Sequence, residues 1–197
     1  DLVRSRGLGD VYKRQELRLE EIMRYRRYLH ESKGSHRDVF RLAGKLAAQT
    51  EMSGWLKDVR CDPDSGVAYF PGCGPVFDLL LMRDTNYSGA AQAAVKVMNK
   101  LKIEPAVIYG CCGHDLYYSG ALDEFGAVKE RLERKLGGKK IIVGCAECYQ
   151  MLKNVYNADV VHFSEFLQET CPDLPRLDVR TTFHDPCRLG RYNQVYD

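Results

Sequence analysis

The sequence predicts an α/β fold, a Rossmann-like parallel sheet with flanking helices, preceded by an N-terminal helical segment. Three observations carry that reading. From Val67 onward, short runs rich in β-branched residues alternate with longer amphipathic stretches, the pattern of βαβ units around a parallel sheet. The turn cluster Asp62-Pro63-Asp64-Ser65-Gly66 marks the front of that region. Before it, apolar residues recur at helical rather than alternating spacing.

The elements follow in order. Residues 16–31 place Leu19, Ile22, Met23 and Leu29 at helical spacing among charges, and Gly34-Ser35 ends the segment. Residues 37–49 form a second helical stretch with Phe40, Leu42, Leu46 and Ala47 able to share a face. Strands are then expected at 67–70, 106–109, 141–143, 160–163 and 181–184, with helices at 89–101, 122–136, 146–154 and 164–170. Right-handed crossovers between them give a layered sheet. No G-x-G-x-x-G follows the first strand, so a dinucleotide site is not supported.

Residues 5–15 read SRGLGDVYKRQ, which matches one frame of a translated sequencing adapter, and residues 1–15 are set aside from fold reasoning. The expected organisation is therefore an adapter-derived stretch over 1–15, a helical linker segment over 16–62, a main domain over 63–180 and the opening of a further unit over 181–197. Twenty-nine basic against 27 acidic side chains leave a net charge of +2, which offers no nucleic-acid footprint. No run approaches the ~18 apolar residues of a membrane span, and the front of the chain has no export signal. A cytoplasmic protein is expected, at most peripheral to the inner membrane through partners.

Eight cysteines stand out: Cys61, Cys73, Cys111, Cys112, Cys145, Cys148, Cys171 and Cys187. In a reducing compartment clustered cysteines serve metals or redox chemistry more often than structural disulfides. Their positions are the informative part. Cys73 follows the strand ending at Phe70, Cys111-Cys112 follow the strand ending at Tyr109, and Cys145 and Cys148 follow the strand ending at Val143. In an open parallel sheet those carboxyl ends share one edge, where ligands bind. Glycines at positions 72, 74, 110, 113 and 144 accompany the cysteines and permit close backbone approach. Five converging thiolates exceed the four of a tetrahedral zinc site and the four of an ordinary cubane cluster. On the residues alone an iron–sulfur centre, a zinc site and merely buried or reactive thiols all remain open.

The strings YFPGC, YGCCG, VGCAECY and VVHFSEFL resemble the blocks of the cysteine-rich CCG domain family, found in heterodisulfide reductase subunits of the B and D types and in glycolate or lactate oxidase iron–sulfur subunits. The spacing resembles it too, with 37 residues between Cys73 and Cys111 and 32 between Cys112 and Cys145. The resemblance implies an oxidoreductase subunit in which Cys73, Cys111, Cys112, Cys145 and Cys148 hold a noncubane 4Fe–4S cluster. It implies a small thiol/disulfide substrate and a flavoprotein or ferredoxin-type electron-transfer subunit as partner, with FAD entering only through a partner. TTFHDPCRLGRY resembles the opening of a second copy of the motif, making Cys187 the counterpart of Cys73 and a ligand of a second cluster. The chain is accordingly expected to be a fragment, inactive in isolation. An electron relay for flavin-linked glycolate or lactate oxidation is an alternative, and a zinc-stabilised non-catalytic domain another.

Other residues carry weaker signals. His114 follows the Cys-Cys-Gly turn and His184 ends the last expected strand; both are candidates to hydrogen-bond near a cluster, as is His162. Cys61 and Cys171 lie in polar turns and read as surface thiols. Glu147 reads as a solvated helix-start charge, and Tyr117 and Tyr118 as packing residues.

Overall fold

The computed structural model describes residues 53–81, 85–171, 173 and 178–196. All of them fall within Arg41–Asp197, one compact unit. The helices expected over 16–31 and 37–49, and the adapter-like stretch over 1–15, lie outside the described residues.

The sheet is parallel throughout. Strand β1 (Val67–Phe70) lies between β2 (Ala106–Val107) and β3 (Lys140–Val143), and β4 (Val160–His162) closes the far side, giving the order β2-β1-β3-β4. Ala68 pairs with Ala106 on one side and Ile141 on the other, while Val143 pairs with His162. Among the described residues the strands are flanked by seven α-helices, α1 (Gly74–Leu81), α2 (Tyr87–Lys100), α3 (His114–Tyr118), α4 (Leu122–Leu136), α5 (Ala146–Asn154), α6 (Phe163–Thr170) and α7 (Gly190–Asn193), with a 3-10 turn at Ser53–Trp55.

Strand periodicity sorts the core into two layers. Ala68, Phe70, Ile141 and Val143 face one side and pack against Leu132 and Leu136 of α4 and Met151 and Leu152 of α5. Tyr69 and Ile142 face the other, against Ala91, Ala94, Val95 and Met98 of α2, Phe166 of α6 and Trp55. The middle strands are covered on both faces, which is why they read as apolar runs rather than as alternation. Local chemistry sets the helix ends. Asn86 caps α2 by accepting from the Gly89 amide at 3.1 Å. Glycine in the left-handed region, Gly137 at φ 56°, stops α4 after Arg134 and Lys135. At the start of α6, His162 and Glu165 form a reciprocal capping box.

The strand expected over 181–184 is not formed. Those four residues are exposed, Phe183 by 77%, and join no ladder among the described residues. The alternation in TTFH has no neighbouring strand to pair with, and without one the pattern has no energetic meaning. The chain instead docks a little later. Leu189 enters the α4/α5 core layer, and the Asn193 amide donates to the Gln150 side chain at 2.6 Å. The second strand is also shorter than its apolar run, ending at Val107, although Ile108 still donates to the Tyr69 carbonyl at 3.0 Å. Helices α1, α3 and α7 were not legible as amphipathic stretches because they are short. Pro75 in the first turn of α1 was the available signal for that helix.

Phe70 is fully buried and its ring lies beneath the turns at Gly72 and Gly110. Phe70→Ala is expected to lower stability by about 3–5 kcal/mol in a urea titration. A loss below about 1 kcal/mol would show that the rim is not supported from beneath.

Candidate metal centre

The strand order creates a switch point. From β1 the chain crosses over α2 to β2 on one flank, then returns past β1 to β3 on the other. Successive connections therefore diverge above β1 and β3, the switch point of the sheet. The Cys73 turn leaves β1 there, the Cys111-Cys112 turn comes from the β2 side, and Cys145 leaves β3 as the residue preceding α5.

Each turn is shaped to bring its sulfur inward. Gly72 sits at φ 66°, and a Cβ there would lie 2.9 Å from the Cys148 sulfur. Only glycine both tolerates that backbone and leaves the sulfur its space. After the cysteine pair, Gly113 at φ 75° starts α3; its amide donates to the Cys111 sulfur at 3.4 Å, and a Cβ there would meet the Phe125 ring at 2.7 Å. The buried Tyr156 hydroxyl donates to the Cys112 carbonyl at 3.0 Å, tying the pair to the end of the α5 connection.

The five thiols meet. Side-chain interactions link Cys73 to Cys111, Cys111 to Cys112, Cys112 to Cys148 and Cys148 to Cys145, so that the sulfurs form one continuous string. Those interactions and burial govern their protonation. The interaction of Cys73 with Cys111, with burial, holds the Cys73 thiol far above the ordinary range. Cys112 and Cys148 are raised for the same kinds of reason, whereas Cys112 and Cys73 hold Cys111 well below that range. Nearby phenols respond as well. Burial and then Cys148 and Cys145 push Tyr69 up to about 12, and burial and then Cys112 and Cys111 raise Tyr156.

The described residues include no disulfide partner for any of the cysteines. Among the same residues, no three Cys, His, Asp or Glu side chains surround one point closely enough to hold a single ion. Five soft sulfur donors suit a soft metal better than a hard cation. The positive charge of such a metal would also relieve the repulsion that thiolates packed this closely would otherwise suffer.

The remaining residues separate clearly. His114 lies at the start of α3, its ring 4.7 Å from that of Tyr118, with both ring nitrogens buried and unbonded among the described residues and Nδ1 3.5 Å from Asp115. His184 is exposed. His162 serves as a helix cap, with its Nδ1 2.8 Å from the Ser164 hydroxyl, and burial lowers its pKa. Glu147 is exposed, yet it accepts from the Cys145 thiol at 3.2 Å. Cys187 is exposed, while Cys171 is half-buried; Cys61 is half-buried too and packs against the α2 core layer. Tyr118 does more than pack, since the Arg188 guanidinium lies 3.8 Å from its ring centre and 4.6 Å from that of Tyr192. Sequence reasoning missed Tyr156 and Tyr69, whose roles depend on contacts between distant segments that no local pattern encodes.

The fold and this rim define a class, the doubly wound α/β domain with cysteines gathered at its switch point. More particularly, residues 67–153 match the family model of the cysteine-rich domain, CCG. Over 172 residues the chain is 27% identical to a subunit of the dihydromethanophenazine:CoB–CoM heterodisulfide reductase of Methanosarcina mazei, covering 76% of this chain and 40% of that protein. It is 32% identical over 174 residues to the EtfAB:quinone oxidoreductase of Syntrophomonas wolfei, covering 74% of this chain and 23% of the relative. It is 28% identical over 139 residues to an uncharacterized iron–sulfur protein of Methanococcus maripaludis, covering 66% and 26% respectively. The chain thus spans well under half the length of these curated relatives. No solved structure matches it significantly. No described helix is long and apolar enough to cross a membrane.

Two substitutions test the rim. Gly72→Ala is expected to cost about 1–3 kcal/mol from backbone strain and to displace Cys148, read as a lower melting temperature together with faster alkylation of Cys148. Tyr156→Phe is expected to cost about 1–3 kcal/mol, the scale of leaving the Cys112 carbonyl unpaired, with the fold retained by circular dichroism.

Proposed function

We propose that this chain is part of an iron–sulfur oxidoreductase subunit, with Cys73, Cys111, Cys112, Cys145 and Cys148 holding one 4Fe–4S cluster of the noncubane type. The observation that carries the reading is the continuous string of five sulfurs from three separate turns. The CCG match spans all five cysteines, and the relatives' names, heterodisulfide reductase and iron–sulfur protein, support the same reading. A cluster held there would take up and release single electrons. The protein's own residues do the rest. Gly72 and Gly113 let the backbone close around the site, and Tyr156 fixes the cysteine pair. Phe70 and Tyr69 keep water away from beneath. His114 offers ring nitrogens beside the Cys-Cys turn, and Cys187 is taken as a thiol donor toward a second centre with His184 as a hydrogen-bonding group near it.

The substrate we favour is a small thiol/disulfide, in line with the heterodisulfide reductase relative. A relay exchanging electrons with a flavoprotein, where FAD stays on the partner, is the second reading. It is supported by the name of the EtfAB:quinone oxidoreductase. Anaerobic reconstitution should yield brown protein with about four irons and four sulfides per chain, and Cys148→Ser should lose most of both. Recovery of stoichiometric zinc without sulfide would overturn the reading.

A further inference from the structure

His162 makes more contacts than a helix cap requires. Cys145 precedes α5 with no side-chain cap of its own, and Gly144 before it has no side chain, so the turn from β3 depends on a neighbour to hold it. The β3–β4 register sets His162 beside Val143, the residue that leads into that turn. Partners in a parallel ladder face the same side of the sheet, and Val160, two residues earlier on β4, packs into the α4/α5 layer. The imidazole accordingly meets the buried Tyr149 ring of α5 edge-on, with centroids 6.1 Å apart.

The ring also hydrogen-bonds on two sides. Nδ1 accepts from the Ser164 amide at 3.3 Å and lies 2.8 Å from the Ser164 hydroxyl. A neutral ring then carries its proton on Nε2. The second partner is the Gly144 backbone, which favours the charged ring and so acts through its carbonyl, the acceptor. Burial outweighs that contact and Glu165, lowering the His162 pKa and favouring the neutral form. Histidine is not among the residues that capping prefers, whereas asparagine is. A cap alone needs no imidazole; reaching Ser164 and Gly144 together does. We propose that His162 is a positioning residue for Cys145, its ring tying the Gly144-Cys145 turn to the start of α6 so that the Cys145 sulfur stays at the rim. Its purpose rests on the metal-centre reading, but every contact it uses is present in the iron-free chain.

Two substitutions separate this role from capping. His162→Asn keeps a capping oxygen and is too short to reach Gly144 as well; His162→Gln places an amide donor near the Nε2 position and caps poorly. In the iron-free chain, His162→Asn is expected to raise the alkylation rate of Cys145 relative to exposed Cys187 about fivefold, the scale of one net hydrogen bond. Its melting temperature should stay close to that of the unaltered chain. His162→Gln should bring the Cys145-to-Cys187 ratio back toward its original value despite a lower melting temperature. After reconstitution, His162→Asn should lose iron to a chelator several-fold faster than His162→Gln. An unchanged ratio in His162→Asn, or a rise in both variants that follows their loss of stability, would overturn the proposal. The expected alkylation pattern in a chain that takes up no iron would support the positioning role and sink only the cluster reading.

Discussion

The structure depends on one constraint, the packing of five thiols from three turns at the edge of an apolar core. Thiols are small and weakly polar, so burying them costs little while they remain protonated. Bringing all five to the thiolate state in that place is another matter, because each would face its neighbours at short range with little water between. In the metal-free chain the interactions among the thiols lower the pKa of Cys111 and raise those of Cys73 and Cys112. A soft, cationic core would satisfy the same donors in the thiolate state.

The scaffold supplies what the thiols cannot. Parallel pairing of β1 with both β2 and β3 places three turns on one edge, and the crossovers diverge above them. Gly72 and Gly113 answer steric demands from opposite sides, one from a sulfur and the other from the Phe125 ring. Tyr156 reaches across from the far end of α5 to hold the Cys112 carbonyl. The segment after residue 178 joins the same flank through Leu189, Asn193 and the stacking of Arg188 between Tyr118 and Tyr192. The start of the next sequence block is thus held against the helix that begins at the Cys-Cys-Gly turn.

Much of this was legible in the sequence. The boundaries of β1, α4 and α5 emerge at the residues expected, because apolar runs and amphipathic stretches there agree with burial in the two core layers. The cysteine groups were legible through a topological argument, that strand ends in a parallel sheet share an edge. What failed has equally physical causes. TTFH carries strand-like residues but no partner, so the segment stays out of the sheet. Cys61 sits in a polar turn yet packs against the α2 layer, since residues preceding β1 fold back over that face. Tyr156 and Tyr69 acquire meaning only from neighbours far along the chain.

The convergence of sulfurs is tested most directly by brief oxidation of the iron-free chain followed by mass-spectrometric mapping of the disulfides formed. The account predicts crosslinks drawn from within the set Cys73, Cys111, Cys112, Cys145 and Cys148, above all Cys73–Cys111 and Cys112–Cys148. Crosslinks that instead join members of that set to Cys61 or Cys171, with none among the five, would contradict it.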